Sequence, residues 1–442
     1  MLRTLVVLTL VAIGALYTLQ GPFYALLFYI GYAYFRPEQW EWMGVIGSLH
    51  LSYVSGAWLL LLTLITRQGF ILTSRSALLL LFLFHTFIST VCSDYSASSW
   101  PFWVEFLKII TITYLIVMLT TDLKRFRLLL LVIILGLGLE QAKQGWYYLL
   151  LHPGSMNMNP VPFLGDNNGV GAGMVMLVPI IAYIARTTPR AWIRRGYELL
   201  LVGCLFRALT TYSRGAFLAC AAMGGVYLFR SRPKLRALAG IVVIVTIVLP
   251  VLPDTFWARM DTIQTYEEDD SATGRLHFWE VALAMANANP LLGVGFNAYK
   301  TAYNTYDFSH GKYGEGRSVH SSFFGVLADT GYIGFALWMA ILMSALWSCY
   351  CIQQRAARES LPVELAQGAA ALEASLVAFV VSGSFLPGQY GEMFWHFIGI
   401  TIVLQQLANQ HRVALRQGSS SRPEPMYTLS SSPQMPERVR LG

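Results

Sequence analysis

Charged residues make up only 12% of this 442-residue chain, about half the share usual in a soluble domain. Such a shortage argues against an ordinary globular protein with a normal polar surface. The five cysteines (Cys92, Cys204, Cys220, Cys349 and Cys351) lie in or beside apolar runs, with neither a disulfide-framework pattern nor metal-type spacing, so buried free thiols are expected. Also missing are an HExxH pair, a paired CxxC and a P-loop lysine motif. The apolar–polar alternation of membrane barrel strands is lacking. No fixed-period repeat occurs, and no Gly/Pro-broken helices stand in matching halves as they do in many transporters.

What the chain does have is apolar length. Hydrophobic residues reach 55%, in runs at 4–35, 45–66, 77–92, 103–120, 127–150, 169–186, 197–212, 214–230, 235–253, 321–350, 368–386 and 391–408. Crossing the hydrocarbon core takes about 20 helical residues, and lipid accepts only helices or closed barrels as spanning structures. The expected fold is therefore an all-α polytopic membrane protein with about 12 spans over residues 1–408. Gly21-Pro22 divides the first run, which is counted as one net crossing. That run has no convincing cleavage site and is read as retained. Residues 409–442, rich in Ser, Pro and Arg, are read as a disordered tail.

Basic residues collect in alternate loops: Arg67/Arg75, Lys124/Arg125/Arg127, Arg186/Arg190/Arg194/Arg195, Arg230/Arg232/Lys234/Arg236 and Arg355/Arg358. By the positive-inside rule these loops face the cytoplasm. The intervening segments, including the long polar loop 254–319, then face outward. The net charge of +7 is accounted for as a topology signal, without a nucleic-acid partner.

The outward segments carry the candidate chemistry. Arg214, in Thr210-Thr-Tyr-Ser-Arg-Gly, stands between two apolar runs. An arginine at membrane depth costs about 2.5–3.5 kcal/mol and tends to be paired, snorkelled or functional. Its planar fork suits bidentate contact with phosphate oxygens. Arg207 lies deeper and is expected to serve a structural ion pair. Arg275 is placed in the first turn of an amphipathic helix, with Leu276, Trp279, Val281 and Leu283 along the membrane surface and Asn287, Asn289 and Pro290 at its end. A cation there opposes the helix dipole unless an anion is bound too. His320 heads the next apolar run. The dipole disfavours imidazolium at such a position, leaving a neutral ring able to accept a proton. Asp329, over two turns further on, is expected to support or pack rather than complete a dyad.

Gly165-Asp166-Asn167-Asn168-Gly169 reads as a helix cap whose polar side chains could also meet sugar hydroxyls or pyrophosphate. Glu267-Glu268-Asp269-Asp270 is a run of acids better read as solvated than as a cation site. Tyr390, Glu392 and His396 are further candidates for lining a site. An imidazole with guanidinium groups at a lipid–water boundary points to chemistry on a lipid-linked phosphate.

These residues carry a resemblance. Tyr212-Ser-Arg-Gly215, Gly274-Arg275 with Phe278-Trp279, Asn289-Pro-Leu-Leu-Gly-Val-Gly-Phe-Asn-Ala-Tyr299 and His320-Ser-Ser-Phe-Phe-Gly-Val-Leu-Ala-Asp-Thr-Gly-Tyr-Ile-Gly334 occur in this order. Over roughly 165–340 the chain resembles the O-antigen ligase and polymerase superfamily of bacterial envelope glycosyltransferases. Gly21-Pro22-Phe23, Arg36-Pro37-Glu38 and Gly165–Asn168 are similar to its exosortase-associated O-glycosylation ligase branch.

The resemblance implies a GT-C-like arrangement whose long periplasmic loop carries short amphipathic helices. It implies transfer of a glycan from an undecaprenyl-diphosphate carrier to an acceptor hydroxyl, such as a lipid A-core sugar, at the periplasmic face of the inner membrane. No metal or other cofactor is implied. His320, Arg214 and Arg275 take the catalytic positions, and Asp166, Asn167, Asn168, Tyr212, Arg317 and Asp329 the substrate-binding ones. Many relatives have Asn where this chain has Ser321 and Glu where it has Asp329. A polysaccharide polymerase and a protein O-oligosaccharyltransferase remain alternatives within the class, and a polyprenyl-lipid transporter outside it.

Overall fold

A computed structural model describes residues 2–39, 50–161, 163–230, 270–356, 358 and 361–420, with single positions 235, 238, 242 and 246. Apart from those four positions, the expected span at 235–253 lies outside the described residues, as do the acids Glu267, Glu268 and Asp269 and the end of the tail from 421. Among the described residues the structure is helical, with no strand beyond one isolated bridge between Val161 and Gly165.

The helices are α1 (Leu2–Tyr17), α2 (Pro22–Phe35), α3 (Leu51–Ile65), α4 (Ser74–Val91), α5 (Ser96–Leu119), α6 (Leu123–Leu151) and α7 (Asn167–Arg186). They continue as α8 (Ala191–Leu209), α9 (Arg214–Arg230), α10 (Asp270–Ala288), α11 (Tyr299–Tyr306), α12 (Ser322–Ala356), α13 (Val363–Gly383) and α14 (Glu392–Ser420). By length and hydropathy, α4, α5, α7, α12 and α13 can each cross a membrane, while α1, α2, α3 and α9 are apolar but shorter. The first apolar run is two helices, with Pro22 opening the second where its missing N–H costs nothing.

Packing centres on α7, which is buried over nearly its whole length and lies against α6, α8, α9 and α13. A helix apolar all round belongs inside a bundle. Its start is fixed by Asp166, whose Oδ1 accepts the Gly169 N–H at 3.0 Å, so the cap read from the sequence is present. Arg207 corrects an expectation. Fully buried on α8, it donates to Gln141 Oε1, Asn157 O and Asn159 O, all neutral acceptors, and so ties down the 157–159 segment, with no ion pair among the described residues. Helix α14 runs through Asn409 to Ser420, because the polar residues after Leu407 end the apolar run but not the helix.

A small second core forms a cap on one end of the bundle. Phe278, Val281, Ala282 and Met285 of α10 meet Tyr299, Ala302 and Tyr303 of α11, with Val319 and Ala328 beneath. The spacing 278, 281, 282, 285 is one helical face. The expected surface stripe is therefore corrected: Val281 is buried in the cap, whereas Leu276 and Leu283 are exposed on the other side. Helix α10 begins at Asp270, which puts Arg275 in its second turn and not its first.

The cap is latched to α12 at a break. Gly331 has φ 67 and ψ −172, outside helical space, in a region open essentially to glycine alone. The helix carbonyls near the break bond elsewhere: Val294 N–H donates to Ala328 O at 2.9 Å, Gly295 N–H to Asp329 O at 3.1 Å, and His85 Nε2 lies 2.9 Å from Thr330 O. Tyr332 N–H in turn donates to Pro290 O at 2.8 Å. The Gly-Val-Gly and Asp-Thr-Gly phrases of the sequence are thus two halves of one junction.

Candidate functional site

His320 sits in the two-residue link between the buried Val319 and the start of α12. Its backbone is left-handed (φ 48), a conformation histidine enters more readily than most side chains. The link is held from outside. Trp279 Nε1 donates to Val319 O at 3.1 Å, Ser321 accepts the Gly325 N–H through its carbonyl at 2.9 Å, and its Oγ lies 3.5 Å from Phe324 N. Ser321 thus stands at the helix cap, a place Asn fills equally well. Ser322 Oγ donates to Leu386 O at 2.7 Å and accepts the Gly388 N–H at 2.9 Å, which brings the turn after α13 alongside.

The imidazole is half-buried with its ring centroid 6.2 Å from that of Phe278. Among the described residues it makes no hydrogen bond, leaving both ring nitrogens available. Burial pushes its pKa down, the Arg275 guanidinium adds to that, Asp166 opposes it, and Arg317 lowers it further. The helix dipole foresaw a neutral ring; desolvation and neighbouring cations supply the cause. Arg317 is exposed with its guanidinium 5.8 Å from the Phe278 ring centroid, within cation–π range.

Of the residues read from the sequence, Arg275, Arg317 and Asp166 therefore share the electrostatic surroundings of His320. Arg214 opens α9 at the same end of the bundle, half-buried, beside Gly215, whose α-carbon faces Phe385 at the end of α13. Asn167 donates to Thr211 O at 2.9 Å and Asn168 to Asp166 Oδ2 at 3.1 Å, so both bind their own surroundings. Tyr212 is buried in a left-handed turn (φ 55) and donates its hydroxyl to Gly154 O at 2.7 Å, pinning a neighbouring loop. Asp329 is fully buried. Its Oδ1 accepts the Tyr299 N–H at 2.9 Å and its Oδ2 the Tyr390 hydroxyl at 3.2 Å, so both carboxylate oxygens are engaged within the protein.

A cavity of about 490 Å³ opens beside this cluster. Ser318 and Val319, the residues just before His320, form part of its wall, with Asn297, Lys300, Gln389, Tyr390 and Glu392 around it. Tyr390 and Glu392 match the sequence candidates, but His396 is displaced: it is 1% exposed and its Nδ1 lies 3.1 Å from the Tyr34 hydroxyl. Gln389 was not foreseen. It is 4% exposed, and its Oε1 has no hydrogen-bond partner among the described residues. A buried acceptor left unmatched costs about 1–3 kcal/mol. Among the described residues no three His, Cys, Asp or Glu side chains group as metal ligands would.

Also unforeseen is a buried pair beneath the cap's surface. His277 Nε2 lies 2.7 Å from Asp307 Oδ1, and the same carboxylate accepts the N–H groups of Ser309 and Gly311 at 2.9 and 3.0 Å. The His277 ring stacks on Tyr313 with centroids 4.9 Å apart. Burial alone would raise the Asp307 pKa; hydrogen bonds from Ser309, His277 and Gly311 outweigh it and hold the carboxyl well below the usual range. The stabilisation is then complete above the ordinary carboxylate pKa of about 3.9 and is lost only as pH falls through the lower folded value. Asp307→Ala should destabilise the cap by about 1–3 kcal/mol at neutral pH. Hydrogen exchange of α10 and α11 should show the difference shrinking only in strong acid.

Fold and site together define a multi-pass, all-α membrane protein with a basic, histidine-centred cluster and a cavity at one end. Residues 199–339, about a third of the chain, match the family model described as O-Antigen ligase, so this segment is similar to that family. The match takes in Tyr212, Arg214, Arg275, Arg317, His320 and Asp329 and stops short of the 384–394 turn. Among the curated proteins compared, none matches the chain.

Proposed function

We propose that the chain is a ligase-type inverting glycosyltransferase of the bacterial inner membrane, acting at the periplasmic face without a metal. It moves a glycan from undecaprenyl diphosphate to an acceptor hydroxyl, in the first instance on a lipid A-core sugar. What supports this reading is a half-buried His320 within the electrostatic reach of Arg275 and Arg317, inside the segment matching O-Antigen ligase. A neutral imidazole near cations is the arrangement a hydroxyl nucleophile and a diphosphate leaving group together require.

The polyprenyl tail lies in lipid, and the diphosphate is gripped by Arg214 and Arg275. His320 takes the acceptor proton as the hydroxyl oxygen attacks the anomeric carbon. The carbon–oxygen bond to the diphosphate breaks, its electron pair leaves with the phosphate, and the single displacement inverts the centre. Negative charge grows on the leaving group, so preorganised guanidiniums favour the transition state over the ground state. Lys would be a poorer substitute, lacking the planar fork.

Purified protein, undecaprenyl-diphosphate-linked oligosaccharide and lipid A-core acceptor test the reading in the presence of a chelator. Arg214→Ala and Arg275→Ala should each slow transfer about 10²–10³-fold, the range seen when one charge-stabilising group is removed. Wild-type rates in both folded variants would overturn the assignment. One transfer per acceptor marks a ligase, and a ladder of products a polymerase. Transfer to a protein hydroxyl in place of the lipid A-core would mark an oligosaccharyltransferase.

A further inference from the structure

The cavity beside His320 has a chemistry of its own. Ser318 and Val319, the two residues before His320, belong to its wall, while His320 itself, Arg214, Arg275 and Arg317 do not line it. In their place it presents Glu392 and Lys300 as charged residues, Asn297 and Gln389 as amides, and the rings of Phe163 and Tyr390, within a wall that is otherwise mostly apolar. The buried carboxylate of Asp329 lies at the same wall, already engaged by Tyr299 and Tyr390.

That composition discriminates between the two substrates. A diphosphate placed here would meet a single cation, Lys300, against the acidic side chains of Glu392 and Asp329, a poorer exchange for a doubly charged anion than the arginine cluster offers. A neutral ring rich in hydroxyls meets what it needs: amides and a carboxylate for its O–H groups, and aromatic faces for its C–H groups. Gln389 is the sharpest single sign. It is nine-tenths buried or more, belongs to the cavity wall, and its Oε1 is matched by no donor among the described residues. The volume of about 490 Å³ falls in the range of small-molecule sites.

We propose that this cavity is the acceptor subsite: it holds a neutral, hydroxyl-bearing sugar and turns one hydroxyl toward His320, with Gln389 and Glu392 selecting that sugar. The proposal rests on the glycosyl-transfer reading above. It divides the site in two, with the arginines on the diphosphate side and the cavity on the hydroxyl side. The attacking oxygen and the departing phosphate then approach the anomeric carbon from different sides, as a single displacement demands. Gln389 and Glu392 are specificity and positioning residues; neither takes part in bond making.

The test uses the full-length chain purified in detergent, with Gln389→Leu and Glu392→Gln as variants. Leucine is close to the amide in volume, and it removes an unmatched acceptor, so Gln389→Leu should unfold no earlier than wild type. Initial rates are measured against lipid A-core at saturating donor, and against undecaprenyl-diphosphate-linked oligosaccharide at saturating acceptor. Each variant should raise the acceptor KM about tenfold, the effect of one lost hydrogen bond, while the donor KM stays within about twofold. An unchanged acceptor KM in both variants, or a rise confined to the donor KM, overturns the proposal and leaves the transferase reading standing.

Calorimetric binding of the delipidated core oligosaccharide gives a readout independent of turnover. Binding by wild type that Gln389→Leu weakens, in a protein that never transfers, would keep the cavity as a sugar site and sink the transferase reading. Wild type that neither binds this probe nor transfers to it overturns the subsite as an acceptor site.

Discussion

Alanine at position 320 should lower glycan transfer by about 10²–10⁴-fold, the contribution typical of a positioned general base. The surroundings of His320 make this a clean experiment. The link around it is held by Val319, Ser321 and Ser322 through bonds to Trp279, Phe324, Gly325, Leu386 and Gly388, none of which uses the imidazole. His320→Asn provides the fold control, since asparagine tolerates a left-handed backbone better than alanine does. Both variants should therefore elute and unfold like wild type while losing turnover. Either one retaining the wild-type rate would remove His320 from the mechanism.

The pH profile sharpens the same prediction. Burial and the neighbouring Arg275 and Arg317 lower the His320 pKa, so the neutral, proton-accepting form persists below the ordinary histidine value of about 6.5. The rate should stay level through neutral pH and fall only on further acidification. Removing a cation that disfavours imidazolium must raise that pKa. Arg275→Gln should therefore move the acid limb of the residual activity toward neutral pH. A limb that stays put would mean the titrating group is not His320.

The expectation of an all-helical membrane protein followed from apolar runs, some of which coincide closely with helices, as at 169–186 against Asn167–Arg186, while the first run is two helices and the last continues to Ser420. The Asp166 cap was equally legible, since a short polar side chain before an apolar run has few other uses. What escaped was anything that depends on which apolar surface meets which. In α10, Leu276 and Leu283 look as fit for burial as Phe278 and Met285; only the presence of α11 and Val319 decides between them. His277 and Asp307 are 30 residues apart with no periodicity to link them. Gln389 lies in a turn outside the resembling segment, and its meaning comes from a neighbour it lacks. His320, Arg275 and Arg317 were found because charge is rare in this chain, which makes each ionisable group outside the basic loops conspicuous.

The largest structural effect is expected at Gly331. A side chain there faces two obstacles at once. The backbone, at φ 67 and ψ −172, is a conformation that costs a non-glycine residue about 1–3 kcal/mol. An added Cβ would also stand 2.6 Å from Pro290 O and 2.9 Å from Gly293 N. Both are main-chain atoms of the opposing half of the junction, and rotamer changes cannot move them aside. Overpacking of this kind adds about 1–3 kcal/mol, so Gly331→Ala should lose about 2–6 kcal/mol in all. Gly311 supplies the comparison, having φ 83 with nothing within 4 Å of the added carbon, so its alanine variant carries the backbone cost alone. Thermal unfolding in detergent should place Gly331→Ala well below Gly311→Ala. Equal midpoints would mean the junction yields easily. The consequence for chemistry follows from what the junction carries. Ala328 O and Asp329 O hold Val294 and Gly295, while the Asp329 carboxylate holds Tyr299 at the head of α11. Through the shared cap core, α11 supports the face of α10 from which Phe278 meets His320 and Arg275 acts on it. Even a Gly331→Ala protein that folds at low temperature should therefore transfer glycan more slowly, because the arginine and the histidine are aligned by one piece of scaffold that a single methyl group pries apart.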